Sequence, residues 1–479
     1  MTISPYKQVT RESPFNIESS AKAAGLMENR MKKYKIGFIS LGCSKNLCDT
    51  EVMLHHIATA GYEITPEEHE ADVIIVNTCA FIESAKKESI DNILDVAWFK
   101  ENKSLIGIVV TGCMAERYRE QLLEEFPEID AVLGVGSLDR ITDAIDHVIE
   151  NAKKKDAPKY THFADKETCP LGGDRVITTG ETMAYMKIAE GCSNRCTYCA
   201  IPLIRGGLRS RTIEELVSEA KDLENVGIKE LNIIAQDTSA YGFDLYGEYK
   251  LPELLRRITN ETKIPWIRLL YCYPDKITDE LIREIAENDR IVKYIDIPMQ
   301  HISESVLKRM NRHGGAEAVR SAVKRLREGV PGIVLRTTAI VGFPGETEED
   351  FRELCQFVKD TKFERFGAFT YSREEDTPAY DFDGIVDEQT AQDRYDILMK
   401  TQLNVSERYN KKRVGKTLHV LCEGFDPVSE AYVGRSYAEA ADIDGKIWFT
   451  SRSPVNEGEM VDVRITESMD YDLVGETVL

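Results

Sequence analysis

Cys192, Cys196 and Cys199 stand in the run GCSNRCTYC, a C-x3-C-x2-C spacing within one short loop. Three thiolates this close together can each bind one iron of a 4Fe–4S cluster, which is ordinarily closed by four cysteines. The fourth iron is then left for a small molecule to complete, and an open iron is a place for chemistry. A zinc knot is the competing reading, but zinc sites take four ligands and favour C-x2-C pairs joined to a second pair. Cys43, Cys79 and Cys113 form a second set. Each follows by one to three residues an apolar run that reads as a buried strand: KIGFISLGC, DVIIVNTC and LIGIVVTGC. In an open α/β sheet the carboxyl ends of the strands share one edge, where ligands gather. Residues 36 and then 34 positions apart would thus converge there, and three thiolates again suit a cluster with one open iron. The plainer reading is three separate buried cysteines, because free Cys is among the most buried residue types. A glycine turn opening a helix at SLGCSKN could instead cradle a phosphate, but the G-x-G-x-x-G fingerprint is missing. Cys48, Cys169, Cys272, Cys355 and Cys422 read as structural.

The elements that must position these cysteines fall into three regions. Residues 33–150 alternate apolar strands with stretches of helical period, which implies a parallel sheet. Residues 151–177, basic and polar, read as a linker. Residues 178–408 repeat the strand–helix theme at greater length. AYMKIAEGC, ELNIIAQD, WIRLLY, YIDIPMQ, VLRTTAIVGFP and ERFGAFTYS are the candidate strands. About six such units make a partial barrel of the TIM type, with the C-x3-C-x2-C loop at the carboxyl end of the first strand, the face that carries chemistry. Residues 411–479 lose the helical pattern and read as a small five-stranded barrel. The expected fold is therefore α/β and multidomain: a parallel α/β amino-terminal domain, a partial (β/α)6 barrel and a small all-β barrel. Residues 1–32 contain no apolar core of a secretory signal and read as a flexible extension.

At 479 residues the chain should form several domains. No stretch approaches the ~18–20 continuous apolar residues of a membrane span. Eleven cysteines without an export signal argue for a reducing compartment and metal binding rather than disulfides, so a cytoplasmic location is expected. The net charge of −21 opposes simple phosphate-backbone binding.

The loop EGCSNRCTYCAIPLIRGGLRSR, with Tyr198 before its last cysteine, resembles the radical S-adenosylmethionine (SAM) enzymes. In that family the amino and carboxylate groups of SAM complete the open iron, and one electron splits SAM to a 5′-deoxyadenosyl radical. SLGCSKNLCDTE, NTCAFIESAKKESID and TGCMAERY resemble the amino-terminal domain of the methylthiotransferases. IAQDTSAYG, YCYPDKI, PMQHISESVLKRMNR and IVGFPGET resemble their radical SAM core, and the last segment resembles their TRAM domain. The resemblance runs from residue 34 to the end. It implies two 4Fe–4S clusters, one on Cys43, Cys79 and Cys113 and one on Cys192, Cys196 and Cys199, with SAM as the cofactor.

Two branches of that family differ in substrate. One modifies an adenosine in tRNA. The other, the RimO-type methylthiotransferases, modifies the β-carbon of an aspartate in the twelfth protein of the small ribosomal subunit. SLGCSKN resembles the second branch, although Ser44 stands where its pattern usually has proline. Charge agrees with that branch: residues 411–479 hold eight Lys and Arg against thirteen Asp and Glu, a net −5. A tRNA-grasping barrel should be basic, whereas an acidic one matches a basic ribosomal protein. The resemblance implies that the core cluster cleaves one SAM to make the radical. The other cluster then offers sulfur methylated by a second SAM, with a sulfur source and an electron donor as further partners and tRNA as the alternative substrate.

Other residues carry softer expectations. Tyr198 would stack near the SAM adenine or pack the loop. Gln236 and Asp237, ending a strand, would reach the SAM ribose or substrate, or hold a turn. Arg336 would pair with the SAM carboxylate, since arginine suits bidentate carboxylate contacts, or with a structural acid. Gly342, with Gly345, would let backbone pass close to a ligand or shape a turn. His301 is assigned no role.

Overall fold

The computed structural model describes residues 34–154, 157–180 and 182–478. The extension expected over residues 1–32 lies outside the described residues. The chain forms two compact units. One comprises the described residues up to Gly180 with Glu190–Ser193 and Ala200–Arg209; the other comprises the described residues of 182–189, 194–199 and 210–478.

The first unit is built on a six-stranded, all-parallel sheet. Its order is Glu63–Thr65, Lys35–Ser40, Val73–Thr78, Gly107–Gly112, Ala131–Leu133 and Tyr160–His162. The three longest strands are the three expected ones. Strand Val73–Thr78 is buried at every position, as a strand covered on both faces must be. The period of two divides its side chains between two cores: Ile74 and Val76 join Ile108 and Val110 on one face, while Val73 and Ile75 join Val109 and Leu133 on the other. The three short strands carry too few residues to show a period. Tyr160–His162 differs from expectation, because it lies in the stretch read as a linker yet completes the sheet edge beside Ala131–Leu133. Further along that stretch, Arg175 and Thr178 are fastened to Glu51 of helix Ser44–Thr59.

The second unit contains an open sheet of six parallel strands in sequential order: Met183–Lys187, Glu230–Ile234, Trp266–Leu269, Ile291–Asp296, Val334–Val341 and Arg365–Thr370. These are the six candidate strands, and they form a partial barrel. Helix starts are fixed locally. Thr212 and Thr347 each close a capping box, with Glu215 and Asp350 respectively, satisfying amide donors that a helix leaves orphaned. The terminal segment closes into a five-stranded barrel, Thr417–Asp426, Ala431–Arg435, Ile447–Thr450, Leu473–Thr477 and Met460–Ser468. Its core is Val420, Cys422, Ile447, Phe449, Val463, Ile465 and Leu473. Cys422 is thus a packing residue. No helix among the described residues is long and apolar enough to cross a membrane.

Candidate metal centres

Cys43, Cys79 and Cys113 are all delivered to the carboxyl edge of the first sheet. Cys43 caps helix Ser44–Thr59, Cys79 directly follows strand Val73–Thr78, and Cys113 opens helix Cys113–Tyr118 after strand Gly107–Gly112. The three thiols stand within electrostatic reach of one another. Burial pushes the Cys79 thiol up, and Cys113 and Cys43 push it further. Burial also raises Cys113, against the Arg205 guanidinium, which lowers it. Two glycines make this convergence possible. Gly42 has φ +92°, and a Cβ there would meet Cys79 Cβ at 2.8 Å and Sγ at 2.9 Å. Gly112 has φ +92°, and its Cβ would meet Asn77 Oδ1 at 2.3 Å. Both backbones approach closer than any side chain permits.

Asn46 ties the three cysteine turns together. Its Nδ2 donates to Leu41 O and to Thr78 O, both at 2.9 Å, and its Oδ1 lies 3.6 Å from Cys113 Sγ. Asn77 Nδ2 in turn donates to Asn46 O at 3.0 Å. Arg205, 2 % exposed, closes the site: Nη2 donates to Asn46 Oδ1 at 2.6 Å and lies 3.4 Å from Cys113 Sγ, while Nη1 reaches Asp49 at 2.7 Å and Glu190 at 3.0 Å. A cage of three thiols, glycine turns and a guanidinium fits an anionic iron–sulfur cluster. Among the described residues no three His, Cys, Asp or Glu side chains close round a single ion; each thiolate of a four-iron cluster takes its own iron and requires no such closure.

The second cysteine loop is gripped by several elements. In the first unit, Cys192 N donates to Gly206 O at 3.1 Å, and a Cβ on Gly191 (φ +74°) would meet Gly207 O at 1.9 Å. In the second unit, Cys199 N donates to Cys196 O, Thr197 N donates to Met310 O, and Ala379 N donates to Thr197 O. Asn194 Nδ2 donates to Asp237 Oδ2 at 2.7 Å, and Lys276 donates to the same oxygen. Cys196 Sγ lies 3.6 Å from Tyr273 Oη and 3.9 Å from Arg312 Nη1. The Arg312 guanidinium also stacks 3.7 Å over the Tyr273 ring, a cation–π contact. A thiol flanked by a phenol and a guanidinium suits a thiolate ligand, since hydrogen bonds to cluster sulfurs tune these centres.

The softer candidates are placed as follows. Tyr198 packs edge-to-face on Phe343, ring centroids 6.3 Å apart, in a cluster with Leu307 and Met310. Gln236 is half-buried two residues beyond strand Glu230–Ile234. Both Asp237 oxygens are occupied: Oδ2 by Asn194 and Lys276, Oδ1 by Ser239 Oγ and Ala240 N, so it caps a turn and holds the cysteine loop. Arg336 donates to Asp296 Oδ1 at 2.7 Å, an acid of the chain itself, and lies 4.0 Å from Asp444. Gly342 (φ +75°) donates its N–H to Glu346 Oε2 at 2.7 Å, and a Cβ there would meet Ala391 Cβ at 2.5 Å. That position shapes a turn against helix Glu388–Lys411. Asn46, Arg205, Tyr273 and Arg312 were missed as site residues. The signals were present in SLGCSKN, IRGGLRSR, YCYP and KRMNR, but no spacing rule links residues so far apart.

Three family models match successive parts of the chain: Uncharacterized protein family UPF0004 over residues 35–134, Radical SAM superfamily over 186–358 and TRAM domain over 414–478. The ribosomal protein uS12 methylthiotransferase RimO of Acetivibrio thermocellus is 48% identical over 451 residues, covering 94% of this chain and 99% of that protein. The protein of the same name from Clostridium botulinum is 48% identical, covering 93% and 98%. Among solved structures, the radical SAM methyltransferase TsrM from Kitasatospora setae, with tryptophan and a SAM analogue bound, aligns with a TM-score of 0.53 at 14% identity, covering 78% of this chain and 89% of that one. That likeness concerns the fold. With near-complete overlap at such identity, the chain belongs to the RimO family of ribosomal protein uS12 methylthiotransferases.

Proposed function

We propose that this protein transfers a methylthio group to the β-carbon of an aspartate in ribosomal protein uS12, using two molecules of SAM per turnover. The observation that carries the reading is the convergence of Cys43, Cys79 and Cys113 under Asn46, in a chain that also carries a C-x3-C-x2-C motif. An enzyme that only made a radical would have no use for the first triad. When bound, the cluster on Cys192, Cys196 and Cys199 supplies the electron that cleaves SAM, and the cluster on Cys43, Cys79 and Cys113 carries the sulfur.

The chain's own residues bind and orient. Asn46 fixes the three turns of the first triad. Asp237 and Lys276 hold Asn194 and so the shape of the second loop. Tyr273 and Arg312 serve the Cys196 sulfur. Tyr198 and Gln236 remain proposed SAM neighbours. Asp237, Arg336 and Gly342, offered from sequence as SAM contacts, would act through position: Asp237 on the loop, Arg336 on Asp296, Gly342 on its turn. The limits 178–408 and 411–479 are proposed for the second and third domains, and the first is proposed to extend past 150 to take in strand Tyr160–His162. The acidic terminal segment favours a basic protein over tRNA as partner. A cytoplasmic setting, a reductant and a separate sulfur source complete the proposal.

The test is to reconstitute the protein with iron, sulfide and reductant, then supply uS12 and tRNA in parallel with SAM. One methylthio increment on a uS12 aspartate, with 5′-deoxyadenosine formed, is expected. Modification of tRNA alone would overturn the substrate.

A further inference from the structure

Arg205 occupies a place that the proposed chemistry has not used. It follows Cys199 by six residues in sequence, yet its guanidinium contacts a cysteine of the other triad. The side chain is buried and its donors are spread over two kinds of acceptor. One edge faces the thiol site, at Asn46 Oδ1 and Cys113 Sγ. The other faces two buried carboxylates, Asp49 and Glu190. Glu190 lies two residues before Cys192.

A buried guanidinium with two buried carboxylates is an expensive arrangement. Taking such charges out of water costs several kcal/mol per ion, and an arginine is seldom fully buried unless paired. A simple clamp for Asn46 would need one donor and no charge. The geometry gives the positive charge a further recipient, the sulfur of Cys113 at 3.4 Å. Charge placed beside an iron–sulfur cluster shifts its potential. A cation stabilises the reduced form, which carries one more negative charge, and so raises the potential. Asp49 and Glu190 offset part of that effect.

We infer that Arg205 is a positioning residue that sets the reduction potential of the cluster on Cys43, Cys79 and Cys113 and, through Glu190, ties that centre to the loop bearing Cys192. The inference rests on the proposed function only in taking the first triad to be a cluster site. Arg205 thereby makes the sulfur-bearing centre easier to reduce than its thiolates alone would allow, with Asp49 and Glu190 as the counterweight.

The test uses the full chain carrying Cys192→Ala, Cys196→Ala and Cys199→Ala, so that one cluster remains to be read. Iron and sulfide are assayed, circular dichroism checks the fold, and the potential is measured by electron paramagnetic resonance during redox titration. Arg205→Gln should lower the reduced-to-oxidised ratio at a fixed potential about tenfold, a shift of about 59 mV for one electron. Arg205→Lys, which keeps the charge and loses the fork, should restore most of the shift. Asp49→Asn, which removes a counterweight and leaves the guanidinium, should move the potential upward; this arm decides the matter where Arg205→Gln does not accumulate folded. An unchanged potential in folded Arg205→Gln, a lysine variant no closer to the parent than glutamine, or no upward shift in Asp49→Asn would each overturn the inference. Failure of the parent to hold any cluster would overturn the proposed function itself.

Discussion

Arg435 and Glu230 stand 2.6 Å apart, although one belongs to the terminal barrel and the other begins the second strand of the six-stranded sheet. Neither side chain is more than 1 % exposed. Glu230 also accepts from Arg268 Nε at 2.5 Å, and Arg435 also donates to Glu423 at 2.6 Å. Nearby, Arg365 reaches Glu439 at 2.5 Å and Tyr294 Oη donates to Asp444 at 2.7 Å. Residues 435–444 therefore dock the small barrel where strands Glu230–Ile234 and Arg365–Thr370 begin. The cysteine loop is held at the other end of these strands, through Asn194 and Asp237. The acidic barrel is thus fastened to the core by its own buried charges.

Glu230→Gln should cost about 3 kcal/mol of stability, because it leaves two buried guanidinium groups short of their shared counterion. Denaturant unfolding followed by fluorescence would read the loss as a lower midpoint. The pH dependence follows the same pairing. Burial raises the Glu230 carboxyl, but Arg268 and Arg435 outweigh it and hold the group below the usual range. A depressed acid contributes stability that is present above its unfolded value near 4.5 and lost as pH falls through the folded one. Acid loosening of the parent below pH ~4.5 should therefore be weaker in the glutamine variant. An identical acid profile in the two proteins would refute this role.

Gly42→Ala should empty the first triad and spare the second. Its Cβ would collide with Cys79 at 2.8 Å, and φ +92° disfavours any side chain. Iron per chain should fall from about eight to about four, as one of two four-iron clusters is lost. Release of 5′-deoxyadenosine from SAM should continue while methylthio transfer stops. Iron analysis and product chromatography on one preparation separate the two effects.

His301 should make the protein acid-sensitive before the carboxylates do. It is fully buried, its Nδ1 accepts from Ser303 N at 3.0 Å, and burial pushes its pKa down from 6.5 to about 4, with Asp350 and Arg394 as its charged neighbours. A base with a lowered folded pKa binds its proton more readily when unfolded. Stability is therefore full above pH 6.5 and is lost as pH falls toward 4, by about 3 kcal/mol at most. His301→Asn, whose side-chain oxygen can accept the same Ser303 bond, should flatten the unfolding profile over that window.

Tyr273→Phe removes the hydroxyl 3.6 Å from Cys196 Sγ and keeps the ring under Arg312. Fold and iron content should be unchanged. Reduction of the core cluster should become harder, because a hydrogen bond to a charged group is worth about 1.5–3 kcal/mol and this one favours the more anionic state. Slower 5′-deoxyadenosine release at limiting reductant, recovered with a stronger reductant, is the expected signature.

The six strands of the partial barrel, the five of the terminal barrel and the shared sheet edge of Cys43, Cys79 and Cys113 were legible from sequence alone. Spacing, apolar runs and strand-end position are local properties, and local physics fixes them. Tyr160–His162 was not legible, because three residues in a polar stretch become a strand only when an edge is waiting beside them. The partners of the cysteines were not legible either. Arg205 meets Cys113 across 92 positions, and Arg312 meets Cys196 across 116. Arg336 and Asp237 show the converse: their residue types suited a ligand, but the fold supplied acids and amides of the chain as their partners. A charge has no period and no preferred sequence neighbour, so its partner is set by which elements the packing brings together. Which atoms could bind iron was written in the order of residues; which charges surround them was decided when the sheets closed.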